Sequence, residues 1–364
     1  MKESIDLFDL SVSEDIKKKY IIEVKDIIKN KNFVLGKKVR DFENNFSKFL
    51  NVKYSLGLNS GTDSLEIGLK TLDVKEADEV IVPGFSFFAT SEVILKLGAQ
   101  PIYCDINLND LTLDINHLKK LISNKTKVII AVHLFGNSAS MDEIKKLTRK
   151  TNIKIIEDVA QAFGSKYKEN YLGSIGEFGC FSFYPTKNLG GFGDGGSITF
   201  KKKGYLKTIM SLRNHGLKEN YYHEYVGYNS RLDSVQASIL NLKLASIKNS
   251  LNKRIKNNKK YHKNIDRDKY RIYSQENQPM NVVPLSVKNS KNLNKTKKIL
   301  EKNNISYGSY YPYGLYEFPI SMLTQKKNDF PNTQYIKENI ITLPCHGNID
   351  DKKLSRILNI LNEI

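Results

Sequence analysis

The chain of 364 residues predicts an α/β fold: a large domain with a mostly parallel central sheet covered by helices, plus a smaller C-terminal α+β domain. Two observations carry this. Between about residues 54 and 200, short apolar runs alternate with stretches whose apolar residues recur at helical spacing. From about 230 to 262 one unbroken helical pattern, LDSVQASILNLKLASIKNSLNKRIKNNKKYHK, leads into a mixed segment. The expected division is 1–245, a large domain with an N-terminal arm, and 246–364, the small domain.

The elements follow in order. DIKKKYIIEVKDIIKN is a helix of the N-terminal arm. KYSLGLNSG is a strand and turn, and TDSLEIGLKTL a helix with Leu65, Gly68, Leu69 and Leu72 on one face. DEVIVPG, QPIYCDI, KVIIAVHLFG and IKIIED are strands. Between them lie the helices TSEVILKLGA, DINHLKKLIS and SMDEIKKLTRKT, the last with Ser140 and Asp142 as capping residues. GEFGCFSFYP and GGSITF are further strands. There is neither an internal repeat nor a low-complexity linker.

Composition narrows the function classes. The formal charge of +18 invites a nucleic-acid reading, but only eight of the 57 basic residues are arginines, and the lysines are scattered among Asn and Ile. Such lysines read as solvated helix faces; phosphate-clamping and base-reading surfaces lean on arginine and interleaved aromatics. Neither a helix-turn-helix nor a zinc pattern is present, so no nucleic-acid partner is expected. No apolar run nears the roughly 20 residues that span a bilayer, so no membrane is expected. The opening MKESIDLFDLSVSED lacks the apolar core of a secretion signal, and Cys104, Cys180 and Cys345 form no pairing pattern; a cytoplasmic location is expected, with no metal site.

Ligands of open α/β sheets sit beyond the carboxyl ends of the strands, and three stretches fall there. NSGTDS places Gly61 and Thr62 where a strand turns into a helix, a phosphate-attracting position that also reads as a plain N-cap. EDVAQAFG places Asp158 and Gln161 three residues apart at a strand end. There a carboxylate can hold a protonated ring nitrogen, or simply cap a helix or pair with a lysine. Adjacent Glu157 and Asp158 face opposite ways, so only one can face a site. FSFYPTKNLGGFGDGG sets Ser182, Tyr184, Lys187 and Asn188 among aromatics and glycines. A lysine in such surroundings has a readily shifted pKa, the basis of Schiff-base chemistry. GFGDGG also matches GxGxxG, but it precedes a strand and opens no βαβ unit, so a dinucleotide site is rejected.

Together, Ser60-Gly61-Thr62, Asp158-x-x-Gln161, Ser182, Lys187-Asn188-Leu189-Gly190, GDGG, LRNHG and GYNSRLDSVQASI resemble the sugar-nucleotide aminotransferases of the DegT/DnrJ/EryC1/StrS type, which have the fold-type I architecture of pyridoxal 5'-phosphate (PLP) enzymes. The resemblance runs from about residue 30 to the C-terminus. It implies that Lys187 carries PLP as a Schiff base and moves the proton between substrate and cofactor. It implies that Asp158 pairs with the pyridinium nitrogen, Gln161 lies near the ring hydroxyl and Phe87 stacks on the ring. Ser182 with the Gly61 and Thr62 backbone holds the phosphate, and Asn229 reaches the cofactor of a second subunit, which implies a homodimer with shared sites. Relatives that act as dehydratases carry histidine in place of the lysine; this chain keeps Lys187.

The resemblance also bears on substrate. SFYPTKNLG followed by GDGG is the form found in members acting on 3-keto sugars, whereas C4-acting members tend to SFHPxK and TTGEGG. The expectation is transfer of an amino group from L-glutamate to a dTDP-linked 3-keto-6-deoxyhexose, for a surface glycan. Rivals are a UDP-linked substrate, a C4-specific enzyme and, outside catalysis, a PLP-binding regulator. His133, Tyr184, Tyr310 and Tyr313 are candidate substrate contacts; the aromatic run SYGSYYPYGLYEF either lines the sugar site or packs the small domain.

Overall fold

The computed structural model describes residues 3–321 and 327–364. Helices α1 (Glu14–Asn30) and α2 (Lys37–Leu50) precede the sheet. The chain then runs through β1 (Tyr54–Leu58), α3 (Gly61–Thr71), β2 (Glu79–Pro83), α4 (Ala89–Lys96), β3 (Gln100–Cys104), α5 (Ile115–Leu121), β4 (Thr126–Val132), α6 (Met141–Thr148) and β5 (Lys154–Asp158). The two-residue strands β6 (Lys166–Tyr167) and β7 (Asn170–Tyr171) come next, followed by β8 (Phe178–Ser182), β9 (Gly196–Phe200), α7 (Leu206–Leu212) and a hairpin of β10 (Leu217–Glu219) and β11 (Tyr222–His223). The long α8 (Ser234–Asn264) leads to β12 (Tyr270–Ile272), β13 (Val282–Val287), α9 (Leu293–Lys302), α10 (Pro331–Asn339), β14 (Ile340–Pro344) and α11 (Asp351–Glu363).

Seven strands form the main sheet in the order β1-β9-β8-β5-β4-β2-β3. Its β8-β5-β4-β2-β3 pairings are all parallel, while β9 runs antiparallel to both neighbours. The reason lies in the connection. A parallel return needs a crossover, usually a helix, and the glycine-rich loop between β8 and β9 contains none. The central strands are apolar on both faces, as a doubly covered sheet requires. Val80, Val82, Val128, Ile130 and Ile156 enter one core, and their neighbours Ile81, Ile129, Ala131 and Ile155 enter the core on the other face.

A third cluster fixes the loop after β8. Phe181 and Phe183 are buried against α2, with edge-to-face contacts Phe46–Phe181 (5.0 Å) and Phe42–Phe183 (5.3 Å). Alternation along the strand then leaves Ser182 and Tyr184 for the opposite side. Ser140 stands at the start of α6, yet its side chain makes no capping bond. Its backbone (φ −72°, ψ 72°) departs from the extended conformation that aims an N-cap side chain at the helix's first N–H groups.

The small domain is a three-stranded antiparallel sheet, β12-β13-β14, with α9, α10 and α11. Residue 245 falls inside α8. Ala237, Leu240, Ile247 and Leu251 of this helix join the aromatic cluster of the large domain, and Tyr261 joins the core that contains the small sheet. The change of layer happens along one helix, with no linker.

Candidate active site

A cavity of about 720 Å³ opens where β1, β2, β4, β5 and β8 end, the crevice beyond their carboxyl ends that a parallel sheet leaves free. It gathers Gly61, Thr62, Phe87, His133, Asp158, Gln161, Ser182, Tyr184, Lys187 and Tyr310, residues from six separate stretches of chain. Tyr313 does not line it: that ring is 57% exposed and lies 6.1 Å from Phe318. Asn229 is also outside it, on an exposed segment bridged to Asn214.

Lys187 sits in the turn after β8, whose shape is built from backbone bonds: Lys187 N–H donates to the Tyr184 carbonyl (2.9 Å) and Gly191 N–H to that of Phe183 (2.7 Å). A Cβ at Gly190 would come within 2.3 Å of the Pro185 carbonyl, so only glycine lets the turn close. Two asparagines clamp it. Asn188 Nδ2 donates to the Phe163 (3.1 Å) and Pro279 (2.8 Å) carbonyls. Asn281, immediately before β13, donates through Nδ2 to the Thr186 carbonyl (3.0 Å) and to Asn188 Oδ1 (3.2 Å). Burial holds the Lys187 amine below the ordinary lysine range, with Asp158 pulling the other way. A depressed pKa increases the neutral, nucleophilic amine.

Asp158 is the last residue of β5. Burial raises its pKa, opposed by Ala160 N–H donating to Oδ1 (3.1 Å), by the Lys187 charge and by Thr90 Oγ1 donating to Oδ2 (3.3 Å). Two donors leave this carboxylate with spare acceptor sites. Its neighbour Glu157 faces the other way, as the strand period requires. Glu157 Oε1 accepts from Ile175 and Gly176 N–H, both at 2.7 Å, and Oε2 accepts from Gly173 N–H (2.9 Å). His133 Nε2 completes the set at 3.1 Å. Burial pushes the Glu157 pKa up, but His133 and the backbone donors outweigh it and bring it below the usual range.

His133 Nδ1 accepts from Ala139 N–H (3.1 Å), so the ring proton resides on Nε2, facing Glu157. Both ring nitrogens are thus used within the protein. His133 forms part of the cavity wall and has no nitrogen free to bind substrate.

Ser60 caps α3, its Oγ accepting from Asp63 N–H at 3.0 Å. The N–H groups of Gly61 and Thr62, the first of that helix, have no acceptor within it. The helix end and its dipole therefore favour an anion. The glycines here serve close approach: a Cβ at Gly196 would sit 2.2 Å from the Ser60 carbonyl, and one at Gly61 2.9 Å from Ser182 Cβ. Strands β8 and β9 and the start of α3 meet only because those side chains are absent.

Gln161 is oriented from both ends. Its Oε1 accepts from Phe135 N–H and its Nε2 donates to Tyr311 Oη, each at 2.8 Å. Phe87 is 59% exposed at the cavity mouth, its ring 6.3 Å from that of Tyr311. Sequence reasoning missed Thr90, Tyr311 and Asn281. Thr90 lies in an ordinary helical stretch, and Tyr311 and Asn281 come from the small domain: Tyr311 is 150 residues from Gln161, and Asn281 is 95 and 93 residues from Thr186 and Asn188 in the lysine turn. The aromatic run divides between both expected roles: Tyr310 and Tyr311 line the cavity, while Tyr316 stacks on Phe330 at 4.0 Å inside the core.

Residues 14–362 match the DegT/DnrJ/EryC1/StrS aminotransferase family. The chain is 30% identical over 375 residues to a pleiotropic regulatory protein of Geobacillus stearothermophilus, covering 99% of this chain and 98% of that one. It is 31% identical over 330 residues, 91% of both chains, to dTDP-3-amino-3,6-dideoxy-alpha-D-galactopyranose transaminase of Aneurinibacillus thermoaerophilus. It is 41% identical over 214 residues, 59% of this chain and 58% of the other, to UDP-N-acetyl-3-dehydro-alpha-D-glucosamine 3-aminotransferase of Acidithiobacillus ferrooxidans. Among solved structures, Spr1654 of Streptococcus pneumoniae in its PLP form superposes with a TM-score of 0.89 at 25% identity, over 99% of this chain and 98% of that one.

The cofactor is pyridoxal phosphate, and the cavity residues fit it: a depressed lysine amine, a buried carboxylate with spare acceptor sites, and a helix N-terminus whose first N–H groups lack acceptors. With this site and this match along almost its whole length, the chain belongs to the DegT/DnrJ/EryC1/StrS family of PLP-dependent sugar-nucleotide aminotransferases.

Proposed function

We propose that this protein transfers the amino group of L-glutamate to a dTDP-linked 3-keto-6-deoxyhexose, giving the 3-amino-3,6-dideoxyhexose used in a surface glycan, and that it works in the cytoplasm as a homodimer. The observation that carries the regiochemistry is the stretch around the lysine, SFYPTKNLG with GDGG, read beside two relatives whose names both specify a 3-amino product. The dTDP assignment follows the relative that matches over 91% of the chain. The UDP-linked alternative is favoured by the 41% identical relative, which matches over a shorter span.

Bound here, PLP supplies an electron sink for the charge left on the substrate carbon. The chain's own residues supply the rest. Lys187, as a free amine, is the base that moves the proton at that carbon, and burial keeps it neutral often enough to do so. Asp158 would hold the ring nitrogen protonated, with Thr90 and the Ala160 N–H fixing the carboxylate. Gly61, Thr62 and Ser182 would hold the phosphate, and Gln161, braced by Phe135 and Tyr311, the ring hydroxyl. Tyr184 and Tyr310 are the proposed sugar contacts. The exposed Asn229 would reach the partner subunit's site.

The test is incubation of purified protein with glutamate and a panel of dTDP- and UDP-linked 3-keto and 4-keto sugars. NMR of the product places the new amine. A 3-amino-6-deoxy product from the dTDP substrate is expected; amination only at C4, or only of UDP substrates, overturns the assignment. Lys187→Ala is expected to abolish turnover.

A further inference from the structure

A second cavity, about 300 Å³, lies behind the lysine turn. The N-terminal arm (Asp9–Ile16), α8 and residues 346–348 enclose it, and Lys187, Asn188 and Gly190 form its inner wall. Its charged lining is unbalanced: Lys243, Lys253 and Arg254 face it with one carboxylate, Asp9. Asp9 is itself taken up, Oδ1 accepting from Ser11 N–H (2.8 Å) and Oδ2 from Asn348 Nδ2.

The cations lack adequate partners. Lys243 Nζ donates to the Gly190 carbonyl (2.6 Å) and lies over the Phe192 ring, and burial pushes its pKa down to about 8, with Asp9 pulling the other way. Arg254 is 7% exposed; its Nη1 donates to the Met280 (3.1 Å) and Asn281 (3.3 Å) carbonyls, but its Nε has no hydrogen-bond partner among the described residues. His346 is 8% exposed; Nε2 faces the Asp6 carbonyl at 3.1 Å and so carries the proton. Its Nδ1 has no hydrogen bond among the described residues, the nearest carboxylate oxygen being Asp9 Oδ2 at 4.0 Å. Those two atoms are closed off inside the protein; the cavity itself is bordered by an excess of positive charge, which favours an anion.

We propose that this cavity binds a small oxyanion of the phosphate class, at a place separate from the cofactor's phosphate. Its oxygens accept from Lys243, Lys253 and Arg254. Two of these residues also hold the active-site turn: Lys243 through the Gly190 carbonyl and Arg254 through that of Asn281, whose amide clamps Thr186 and Asn188. Occupancy therefore stiffens the segment that carries Lys187.

The test is calorimetric titration of the PLP-loaded protein, whose cofactor phosphate already fills the site at α3. Inorganic phosphate, glycerol phosphate, sulfate and chloride are compared at constant ionic strength. Saturable binding of one phosphate or one phosphate monoester per chain is expected, and the tighter of the two identifies the source. Lys243→Met is expected to weaken it tenfold or more and Lys243→Arg by less than threefold. Chloride, which lacks the spread tetrahedron of oxygens, should bind at least fivefold more weakly, whereas sulfate should compete with phosphate. Binding of chloride equal to phosphate, binding unchanged in Lys243→Met, or no saturable phosphate heat overturns the proposal. If Lys243→Met fails to fold, Lys253→Met serves: weakened phosphate binding supports the site, and unchanged binding overturns it.

Discussion

Replacing Glu157 with glutamine tests whether the strut behind Asp158 carries the end of β5. The carboxylate accepts four bonds, two at each oxygen, from Ile175, Gly176, Gly173 and His133. Glutamine keeps the shape but presents an NH₂ to two of these donors, and hydrogen bonds to a charged group contribute about 1.5–3 kcal/mol each. Losing two gives about 3–6 kcal/mol. Removing the charge also removes its burial cost, so the net loss is expected near the lower end, about 3 kcal/mol. The sign with pH is set by the depressed Glu157 pKa. Its contribution is fully present above the ordinary glutamate range and is lost as pH falls through the folded-state value. Urea unfolding at neutral pH should therefore show the large deficit, and the gap between wild type and Glu157→Gln should narrow on acidification. Because Asp158 follows directly in the strand, PLP affinity read from cofactor absorbance should fall in parallel. A neutral-pH loss under about 1 kcal/mol, or a gap that does not shrink in acid, would refute the reasoning.

Three further outcomes are expected. Tyr311→Phe removes the acceptor of Gln161 Nε2 and should lower kcat/KM about tenfold, with little change in unfolding midpoint; a value within about twofold of wild type speaks against the brace. Gly196→Ala puts a Cβ 2.2 Å from the Ser60 carbonyl and should weaken PLP binding about tenfold or more, whereas Gly204→Ala, with nothing within 4 Å, should be silent; matching behaviour of the two would remove the close-approach argument. If sites are shared across a homodimer, mixing Lys187→Ala with Asn229→Ala subunits rebuilds one intact site per mixed dimer, and random exchange should restore about a quarter of wild-type activity. No recovery above the sum of the separate variants would exclude sharing.

The parallel strands were legible because a sheet covered on both faces needs apolar residues on both, and VIV, VII and KII runs announce that need locally. The reversal of β9 was not read, since direction depends on what the β8–β9 loop can span. Lys187, Asp158 and the Gly61–Thr62 turn stood out because each is chemically odd for its place: a lysine among aromatics, a carboxylate at a strand end, a glycine where a helix starts. His133 looked equally available, yet its nitrogens are committed to Glu157 and Ala139, contacts made 24 and 6 residues away. The same blindness to distant partners hid Tyr311, Asn281 and the second cavity, whose lining draws on the N-terminal arm, α8 and the last strand's exit.

What the sequence by itself determined is the element order and a lysine in an unusual setting, because those rest on local spacing and residue types; the class of cofactor came with the family resemblance of the motifs around it. What only the tertiary structure decided is which groups meet: Thr90 with Asp158, Gln161 with Tyr311, Asn281 with the lysine turn. Hydrogen bonds and desolvation act over a few ångströms of space, regardless of how far apart the residues lie along the chain, so burial, ring protonation and the depressed lysine amine exist only once the chain has folded.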